Sequence, residues 1–427
     1  MARQMKDSGV EWIGEIPETW SLIPNKRVMR KEKRICEQYG GEKVLSLTIN
    51  GVIERDILNP KGKMPTTFDG YQRVYSGELI LCLFDIDVTP CCVGRAYITG
   101  ITSPAYSVFQ LENDADLGYY FYYYKMVDNS KELLHLAKNL RHSFTEEQLG
   151  SIDVPKPSLI EQQGIATYLD TKCAEIDKVV EQTRATIEEY KKLKQAIITE
   201  AVTKGVRGPR PMKPSGVVWI GDIPEEWRVG RIKDYAQLQT GATPSTSCPH
   251  YFNGEIPWFT PGDFSESFEV TVSQRTLSKQ AEDEKQAVIL PPQTPLIVGI
   301  GASAGKVSFS QVKCSCNQQV TALIECSANP KLLTYILEAG RVYLRDTAAF
   351  TTLPIINNQT LGYFKLAAPT CVAEQQEIVA YLDTKCAEID RIIEKKAQLI
   401  EELGSYKKSL IYECVTGKRE IKIHNYS

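Results

Sequence analysis

The sequence Glu161-Gln-Gln-Gly-Ile-Ala-Thr-Tyr-Leu-Asp-Thr-Lys-Cys-Ala-Glu-Ile-Asp177 returns later in the chain as Glu374-Gln-Gln-Glu-Ile-Val-Ala-Tyr-Leu-Asp-Thr-Lys-Cys-Ala-Glu-Ile-Asp390, with 14 of 17 positions identical. A second pair lies upstream: Met5-Lys-Asp-Ser-Gly-Val-Glu-Trp-Ile-Gly-Glu-Ile-Pro-Glu-Thr-Trp20 recurs from Met212 to Trp227 with 12 of 16 positions identical. A period of about 210 residues is several times longer than that of a solenoid repeat. The chain therefore contains one module written twice.

Each copy of the first stretch opens a long predicted helix. Ser158 and Glu161 have the spacing of a capping box, and Gly205 follows Lys204 as a helix terminator, so the first helix is predicted to end near Thr203. Apolar or tolerated residues recur at alternating steps of three and four, with two full steps of seven, which is the spacing of a coiled-coil seam: Leu169, Ile176, Val180, Thr183, Ile187, Tyr190 and Ile197. The second helix repeats the pattern with one charged member, Lys396: Leu382, Ile389, Ile393, Lys396, Ile400, Leu403 and Leu410.

The two helices are predicted to pair with each other. Each exposes an apolar stripe that it cannot bury alone, and its near-identical twin is the simplest partner. We expect an antiparallel coiled coil with a pseudo-twofold relation between the modules. Val415-Thr-Gly-Lys418 resembles Val202-Thr-Lys-Gly205, so the organisation is predicted to be nearly circular, with the C-terminus beside the N-terminal segment.

The stretches between the repeats predict two mixed α/β domains, so the fold class is α+β. Short β-like runs, such as 43–49 and 78–84, alternate with turns rich in Gly, Pro and Asn and with helical patches. The aromatic run Tyr119–Tyr124 is predicted to lie on a helix packed against a sheet. The predicted segments are 1–157 (first mixed domain), 158–204 (first long helix), 205–369 (second mixed domain with a basic linker) and 370–427 (second long helix and tail).

Composition narrows the protein class. No apolar run approaches the length of a bilayer span, and the polar, proline-broken N-terminal segment does not fit a signal peptide, so a cytoplasmic location is expected. The spacings Cys91-Cys92 and Cys314-x-Cys316 do not fit zinc knuckles. The twelve cysteines are predicted to be small buried residues, without disulfides or metal.

The net charge and the distribution of basic residues do not decide whether the protein binds nucleic acid. A net charge of −3 does not fit a protein whose whole surface binds nucleic acid. Basic residues gather at 26–34 and again at Lys204, Arg207, Arg210 and Lys213. Each cluster fits either solvated surface charge or a local contact with phosphates.

The repeated motifs resemble those of a known family. The opening Ser-Gly-Val-x-Trp-Ile-Gly-x-Ile-Pro, the Glu-Gln-Gln-x-Ile helix start and the two-copy layout resemble the specificity (S) subunit of Type I restriction-modification enzymes. So does Leu238-Gln-Thr-Gly-Ala-Thr-Pro-Ser245 with Gly254-Glu-Ile-Pro-Trp258 and Asp263. In that family each mixed domain is a target recognition domain, and the helices are spacers. The resemblance implies binding of a bipartite, asymmetric site on double-stranded DNA. The first domain lacks the Thr-Gly-x-Thr-Pro loop.

The resemblance also implies partners and a non-catalytic role. Two methyltransferase (M) subunits would bind S-adenosylmethionine and methylate adenine, and restriction/translocase (R) subunits would use ATP and Mg, so this chain needs no cofactor. No catalytic motif contradicts this. The stretch from Ile300 to Lys306 lacks the first glycine and the Ser/Thr of a phosphate loop and predicts a tight turn between strands. Glu189-Tyr-Lys191 has nuclease-like spacing but lies on the long helix without a strand-borne acidic partner.

DNA contacts are expected from loop residues, with Arg and Lys binding phosphates and neutral polar groups reading bases. In the second domain the candidates are Gln239, Thr240, Thr243, Trp258, Lys306, Gln318 and Arg345. In the first they are Lys43, Ser46, Arg55, Arg73, Arg95, Arg141 and His142. A basic residue follows a glycine in both halves of the chain, as Lys306 in Gly305-Lys306 and as Arg95 in Val93-Gly-Arg95. We therefore pair the two residues and predict that both contact phosphates.

Two alternatives stay open. The same scaffold could serve a Type II-like restriction enzyme, which copurifying subunits would reveal. A protein-interaction scaffold without DNA binding is favoured by the acidic net charge, and a binding assay across a salt series distinguishes it.

Overall fold

The computed structural model describes residues 3–49, 51–60, 64–87, 89, 91–136, 143–264, 268–346, 349–350 and 353–422. Internal contacts divide the chain into two units, Met1–Arg184 with Ala397–Ser427, and Ala185–Lys396. Each unit therefore contains one mixed domain and part of each long helix. We call residues 3–156 the first head and residues 212–368 the second head. The four predicted segments divide the chain by sequence position, whereas these two units divide it by contacts in space, so each long helix is shared between both units.

The first head is built from two sheets and a buried helix. Its strands are β1 (Met5–Asp7), β2 (Glu15–Pro17), β3 (Ser21–Pro24), β4 (Met29–Glu32), β5 (Ile35–Cys36), β6 (Val44–Thr48), β7 (Gly51–Glu54), β8 (Tyr71–Val74), β9 (Leu79–Cys82), β10 (Val93–Arg95), β11 (Gly100–Thr102), β12 (Tyr106–Leu111) and β13 (Asp153–Lys156), with helices α1 (Leu117–Ser130) and α2 (Glu146–Ser151). The sheets run β10-β9-β12-β4 and β5-β8-β11-β6-β7. The two predicted strand runs are confirmed as β6 and β9.

Helix α1 carries the aromatic run in the way the sequence predicts. Asp116 caps it, accepting a hydrogen bond from the Tyr119 backbone N–H. The tyrosines of the run are all buried and belong to the same core cluster as residues of strands β9 and β10: Tyr119, Tyr120, Tyr122, Tyr123 and Tyr124. The run therefore forms core and offers no stacking platform for bases.

Each head is followed by a long helix: α3 (Leu159–Lys204) after the first head and α9 (Val372–Val415) after the second. Between them lie β14 (Met212–Pro214), β15 (Asp222–Pro224), β16 (Arg228–Arg231), α4 (Ile232–Tyr235), β17 (Gln237–Thr240), β18 (Phe252–Phe259), β19 (Glu269–Val270), β20 (Thr276–Leu277), α5 (Lys279–Asp283), β21 (Thr294–Val298), β22 (Val307–Ser310), β23 (Ser315–Cys316), β24 (Val320–Ile324), α6 (Pro330–Ala339), α7 (Arg341–Asp346), β25 (Ala349–Phe350), β26 (Pro354–Ile355), α8 (Asn358–Tyr363) and β27 (Lys365–Ala368). The main sheet of the second head runs β17-β24-β21-β22-β19, beside a smaller sheet β20-β18-β23.

The two heads share a frame although their sheets differ. Each begins with a hairpin, β1–β2 or β14–β15, and each pairs an early strand with the strand that precedes the long helix, β3 with β13 and β16 with β27. Helix α6 begins at the position that the sequence repeat pairs with the start of α1. The shared strands and helices therefore occur at positions that the sequence repeat makes equivalent. The residues that differ between the heads lie in the chain between these shared elements.

The long helices pair antiparallel inside each unit, as predicted. In the first unit the start of α3 packs against the end of α9 in one core, through Leu169, Cys173, Ile176, Leu410, Ile411 and Cys414. In the second unit the end of α3 packs against the start of α9, through Ile198, Ala201, Val202, Ile378, Leu382 and Cys386. All fourteen predicted seam residues are buried or half-buried.

Ion pairs mark the register of this pairing. Lys407 Nζ lies 2.6 Å from Asp177 Oδ1 in the first unit, and Lys194 Nζ lies 2.7 Å from Asp390 Oδ2 in the second. Since Lys194 and Lys407 are repeat counterparts, as are Asp177 and Asp390, the two bridges are equivalent with their helices exchanged. Such exposed pairs contribute about 1 kcal/mol or less. Their main effect is to favour this register of the two helices over others.

Lys396 in the second seam has a partner suited to it. Its Nζ lies 6.0 Å from the ring centroid of Tyr190, a cation–π contact. By the repeat, Lys396 is the counterpart of Thr183 and Tyr190 is the counterpart of Leu403. The charged seam position is therefore accommodated by an aromatic ring in place of leucine.

The near-circular organisation is also confirmed within the first unit. The Tyr412 hydroxyl and Lys418 Nζ donate to the Ile13 carbonyl at 3.1 and 3.2 Å. The Tyr119 hydroxyl donates to the Val415 carbonyl at 2.8 Å. The end of α9 is thus bonded to the N-terminal motif that the repeat places next to it.

The twelve cysteines are free thiols, and most are buried or half-buried. Cys371 departs from the prediction, because it is exposed just before α9 begins. Among the described residues, no helix is long and apolar enough to cross a membrane.

Candidate nucleic-acid interface and its anchors

The two repeated sequence stretches meet at one contact in the first unit. Glu161, in the first turn of α3, accepts hydrogen bonds from Arg3 Nη2 at 2.5 Å and from Trp20 Nε1 at 3.3 Å. The Arg3 guanidinium also lies 5.2 Å from the Trp20 ring centroid. The Ser158 hydroxyl accepts from the Glu161 backbone N–H, as the predicted capping box requires. The Glu161 carboxylate, however, is used to hold the N-terminal motif.

The second unit repeats this contact with equivalent residues. Glu374 Oε1 lies 2.6 Å from Arg210 Nη1 and accepts a hydrogen bond from Trp227 Nε1 at 3.1 Å. Arg210 lies 5.5 Å from the Trp227 ring centroid. Arg3 and Arg210 are repeat counterparts, as are Trp20 and Trp227. We call these two Arg–Glu–Trp clusters the primary anchors, because each fastens the opening motif of a head to the start of a long helix.

A second pair of anchors lies further along each long helix. Asp170 accepts from the Tyr122 hydroxyl at 2.8 Å and from Arg95 Nη2 at 2.7 Å. Asp383 accepts from the Tyr335 hydroxyl and from Lys331 Nζ, both at 2.7 Å. The Asp and Tyr are repeat equivalents, whereas the cations come from different parts of the heads.

Glutamine provides a third anchor. The side-chain oxygen of Gln162 accepts from the Asp116 N–H, and that of Gln375 accepts from the Asn329 N–H, both at 2.7 Å. Asp116 and Asn329 are the N-caps of α1 and α6. The Glu-Gln start of each long helix thus positions a second helix of its head. Sequence reasoning identified this motif as repeated, but the contacts between distant segments were not readable from it.

These contacts correct the prediction for Arg95. Its side chain is only 12% exposed, is paired with Asp170 and lies 4.4 Å from the Phe121 ring centroid. It therefore holds the head to α3 and exposes little of its side chain to a phosphate. Lys306, its supposed equivalent, donates to the Phe264 carbonyl at 3.1 Å. The predicted tight turn before Lys306 is confirmed between β21 and β22, but the equivalence of the two residues is not.

Half of the ten residues in the two basic clusters are paired with acidic partners. Arg34 Nη2 lies 2.7 Å from Glu78, and Lys31 pairs with Glu146. In the second cluster Arg210 serves the primary anchor, and Arg207 binds a glutamate of α9 at 2.7 Å. The structural interpretation therefore accounts for these residues without phosphate contacts.

The primary anchor of the first unit makes its stability depend on pH. Burial raises the pKa of Glu161, but hydrogen bonds from Arg3 and Trp20 outweigh it and leave the pKa below its ordinary value. A lowered folded-state pKa contributes stability above the unfolded pKa of about 4.3, and this is lost as pH falls through the folded value. We expect Glu161→Gln to be less stable than the parent at neutral pH, with the difference shrinking in acid. Urea midpoints measured between about pH 7 and pH 3 test this, and a constant difference would contradict it.

Four loops meet at one end of the main sheet of the second head. They are the ends of β17 and β21, the turn before β24 and the segment before α8. Gly241 N–H donates to the Val320 carbonyl at 3.0 Å, and Gly299 N–H donates to the Gln319 carbonyl at 2.7 Å. Ile356 N–H donates to the Gly299 carbonyl at 2.8 Å. We call this set the loop cluster, which consists of residues 239–243, 299–301, 317–319 and 354–358.

Neutral polar side chains are linked to each other in the loop cluster. Asn358 Nδ2 donates to Thr240 Oγ1 at 2.9 Å, and its Oδ1 accepts from the Thr321 hydroxyl at 3.1 Å. The Thr243 hydroxyl donates to the side-chain oxygen of Gln318. The predicted residues Thr240, Thr243 and Gln318 are thus brought together, and the structure adds Asn358, which the sequence analysis did not select.

The loop cluster is drawn from sequence that lacks charge. No Asp, Glu, Lys or Arg occurs in 235–254, 286–305, 314–324 or 347–364, although 24% of the chain is charged. Protein surfaces that contact DNA are usually rich in Lys and Arg, which bind phosphates. The loop cluster therefore offers neutral groups suited to base edges, and phosphate contacts would have to come from other parts of the head.

Trp258 is corrected by the structure. It is only 2% exposed, and its Nε1 donates to the Ala242 carbonyl at 3.1 Å. It supports the Gly241 loop from beneath and has no surface with which to contact DNA. In the same head Gln239 and Lys306 are half-buried and Arg345 is exposed.

The candidates of the first head are less concentrated. Lys43 is exposed and pairs with Glu54 at 2.7 Å, and Arg73 pairs with Glu42 at 3.1 Å. Two more, Ser46 and Arg55, are half-buried on and just after the hairpin β6–β7. Arg141 and His142 lie outside the described residues. Apart from Arg95 and Trp258, the candidate DNA contacts stay predictions.

The sequence and the fold were compared with those of known proteins. Residues 224–402 match the Type I restriction modification DNA specificity domain. The chain is 30% identical over 189 residues to the Type I restriction enzyme MjaIX specificity subunit of Methanocaldococcus jannaschii, covering 43% of this chain and 42% of that protein. It is 26% identical over 296 residues to the MjaVIII specificity subunit of the same organism, covering 65% and 64%. The chain thus aligns with less than two thirds of each of these relatives.

Solved structures share the fold over nearly the whole chain. One, from a study of complex assembly and conformational transition of the type I R-M system, superposes with a TM-score of 0.72 at 17% identity, covering 95% of this chain and 99% of its own. The HsdS subunit from Thermoanaerobacter tengcongensis gives a TM-score of 0.52 at 17% identity, covering 95% and 98%. In its matched domain, in its named relatives and in its fold, the chain is thus similar to Type I restriction enzyme specificity subunits.

Proposed function

We propose that this chain reads a bipartite, asymmetric DNA site and holds methyltransferase subunits at it, without catalysing a reaction itself. The observation that carries the proposal is the combination of repeated anchors with different heads. The anchors fix each head to the paired helices through equivalent residues, whereas the loops inside the two frames differ. Two unlike reading surfaces on one repeated scaffold fit a site with two unlike halves.

Sequence reading is assigned to the heads and assembly to the helices. Neutral donors and acceptors of the kind that read base edges are supplied in the second head by Gln239, Thr240, Thr243 and Gln318, and Lys306 and Arg345 are proposed for phosphates. In the first head, the proposed contacts are Lys43, Ser46, Arg55 and Arg73. Arg141 and His142, which lie outside the described residues, belong to the same proposal.

Partner subunits would supply the chemistry. Two methyltransferase subunits using S-adenosylmethionine would flip and methylate adenines, and restriction/translocase subunits would use ATP and Mg. On this chain, exposed apolar residues occur at repeat-equivalent positions of the long helices. Leu193 is 48% exposed, and its repeat counterpart Tyr406 is 49% exposed. Such a matched pair supports the docking of two copies of one partner.

A salt series tests DNA reading directly. We expect the complex with its methyltransferase subunits to bind its methylated sequence with log affinity falling linearly with log salt, at a slope of about −0.9 per phosphate neutralised. A duplex with one half-site scrambled is the control and should bind more weakly at every salt concentration. Affinity that ignores both salt and sequence would favour a protein-interaction scaffold instead.

A further inference from the structure

We propose that Gln318 determines specificity for an adenine in one half-site, through its side-chain amide, and that Thr243 positions that amide. The inference rests on the proposed function, which it deepens by naming a base and the residue that reads it. It is carried by the backbone that presents Gln318, by the hydrogen bonding of its amide and by its uncharged surroundings.

Gln318 lies at the apex of a fixed turn. Val320 N–H donates to the Asn317 carbonyl at 3.0 Å, which closes a four-residue turn with Gln318 in its second position. Asn317 is 8% exposed, and its N–H donates to the Phe259 carbonyl at 3.0 Å. Its side chain accepts from Gln319 N–H and donates to the Gln319 side-chain oxygen, both at 3.1 Å. The turn is thus held on both sides, and Gln318 projects from it exposed.

Thr243 fixes the orientation of the Gln318 amide. The Thr243 hydroxyl donates to the Gln318 side-chain oxygen, so that oxygen is the acceptor of the pair and the amide nitrogen points away. Pro244 restricts Thr243 to extended backbone, which limits the movement of its hydroxyl. The amide therefore presents an N–H donor and the second lone pair of its oxygen side by side.

This donor–acceptor pair matches adenine. In the major groove adenine offers N7 as acceptor and N6–H2 as donor, and a glutamine amide pairs with both at once. Guanine offers two acceptors, N7 and O6, and O6 would oppose the amide oxygen. An amide held in this orientation therefore selects adenine over guanine.

The other glutamines of the loop cluster are half-buried and engaged within the protein. Gln239 Nε2 donates to the Thr240 carbonyl at 3.0 Å, and the Gln319 side-chain oxygen accepts from Asn317 at 3.1 Å. Within the described part of the loop cluster, Gln318 is therefore the glutamine that is exposed and whose amide nitrogen has no hydrogen-bond partner.

The asparagines at the start of α8 have structural roles. Asn358 bonds both Thr240 and Thr321, which ties α8 to the main sheet. Asn357 caps α8, since its side-chain oxygen accepts from the Thr360 N–H at 2.8 Å. No charged side chain occurs in 314–324 or 235–254 to compete with Gln318 for a base. Gln318 is thus the loop-cluster amide best placed to read one.

The test is the methylation motif of cells that carry this chain with its methyltransferase subunit, read by sequencing methylated adenines. The variants are Gln318→Ala, Thr243→Val and Thr243→Ser, with Gln286→Ala as the matched control. Gln286 is an exposed glutamine of the same head whose Nε2 donates to the Glu284 carbonyl. Serine keeps the hydroxyl of Thr243, whereas valine keeps its shape and removes the donor.

We expect Gln318→Ala to relax one position at which the parent requires adenine, lowering discrimination there by about 5- to 150-fold. The rest of that half-site, the gap and the other half-site should be unchanged. Thr243→Val should relax the same position to a smaller degree, and Thr243→Ser and Gln286→Ala should keep the parental motif.

Three outcomes overturn the inference. An unchanged motif in Gln318→Ala, relaxation at a G·C position, or relaxation in both half-sites would each exclude the proposed role. If the parent gives no bipartite motif at all, the proposed function fails and the inference falls with it. A parental bipartite motif that survives Gln318→Ala refutes the inference alone.

Discussion

Replacing Glu374 with alanine is expected to lower the free energy of unfolding of the second unit by about 3–5 kcal/mol. Glu374 is 1% exposed and is the acceptor for Arg210, whose side chain is 11% exposed, and for Trp227. Alanine would leave a buried guanidinium without its main counter-charge. The remaining acid, Glu226, lies 2.8 Å from Arg210 Nη1 but is 51% exposed, so it compensates only weakly. Urea denaturation of the full chain, followed by tryptophan fluorescence and circular dichroism, measures the effect as a lower midpoint.

Glu377→Ala is the matched control for this change. Glu377 lies in the first turns of α9, like Glu374, and pairs with Arg207 through two hydrogen bonds of 2.7 and 2.8 Å. Its side chain is 47% exposed, so the loss should be about 1 kcal/mol or less. Equal losses in the two variants would show that the buried anchor adds nothing beyond an ordinary surface pair.

Gly241→Ala is expected to abolish recognition by the second head while leaving the first head's half-site intact. A Cβ at Gly241 would lie 2.2 Å from the Cys316 carbonyl oxygen and 2.5 Å from that of Asn317. These are backbone atoms of strand β23 and of the held turn that follows it, so the loop must move, which separates Thr243 from Gln318. Overpacking of this kind costs about 1–3 kcal/mol. The motif of methylated adenines and the urea midpoint measure the two effects.

Gly404→Ala provides the contrast. Gly404 lies inside α9, and a Cβ there meets nothing within 4 Å. Alanine in a helix interior stabilises by about 0.5–1 kcal/mol relative to glycine, and the motif should not change. A parental motif in Gly241→Ala despite a lowered urea midpoint would contradict DNA reading by the loop cluster.

The helices and their pairing could be predicted because their information is local and written twice. Heptad spacing, the Ser158 cap and Gly205 locate α3, and the second copy confirms the pattern. The buried tyrosines of α1 follow from a similar argument, since consecutive helical residues point in all directions. The register of the helix pair was harder to predict, because it depends on which residues of one helix lie opposite which residues of the other. The two equivalent ion pairs, Lys407–Asp177 and Lys194–Asp390, show that register in the structure.

The site was harder to predict because tertiary contacts decide which polar and aromatic side chains are exposed and which are buried or paired. Arg95 and an exposed phosphate-binding arginine look alike in sequence, and only the nearby Asp170 and Phe121 separate them. Trp258 has the composition of a stacking residue, yet it lies in the core. Asn358 was missed because nothing local connects it with its partner Thr240, which lies 118 residues away in the chain.

The anchors have an evolutionary consequence. The anchors that are equivalent in the two heads lie in the opening motif, in the capped helix α1 or α6, and in the first part of a long helix. Genetic exchange between two points in these shared stretches would therefore replace a whole loop surface while the equivalent anchors stay the same. Such a chain can acquire a new target in a single recombination event, without first passing through poorly folded intermediates.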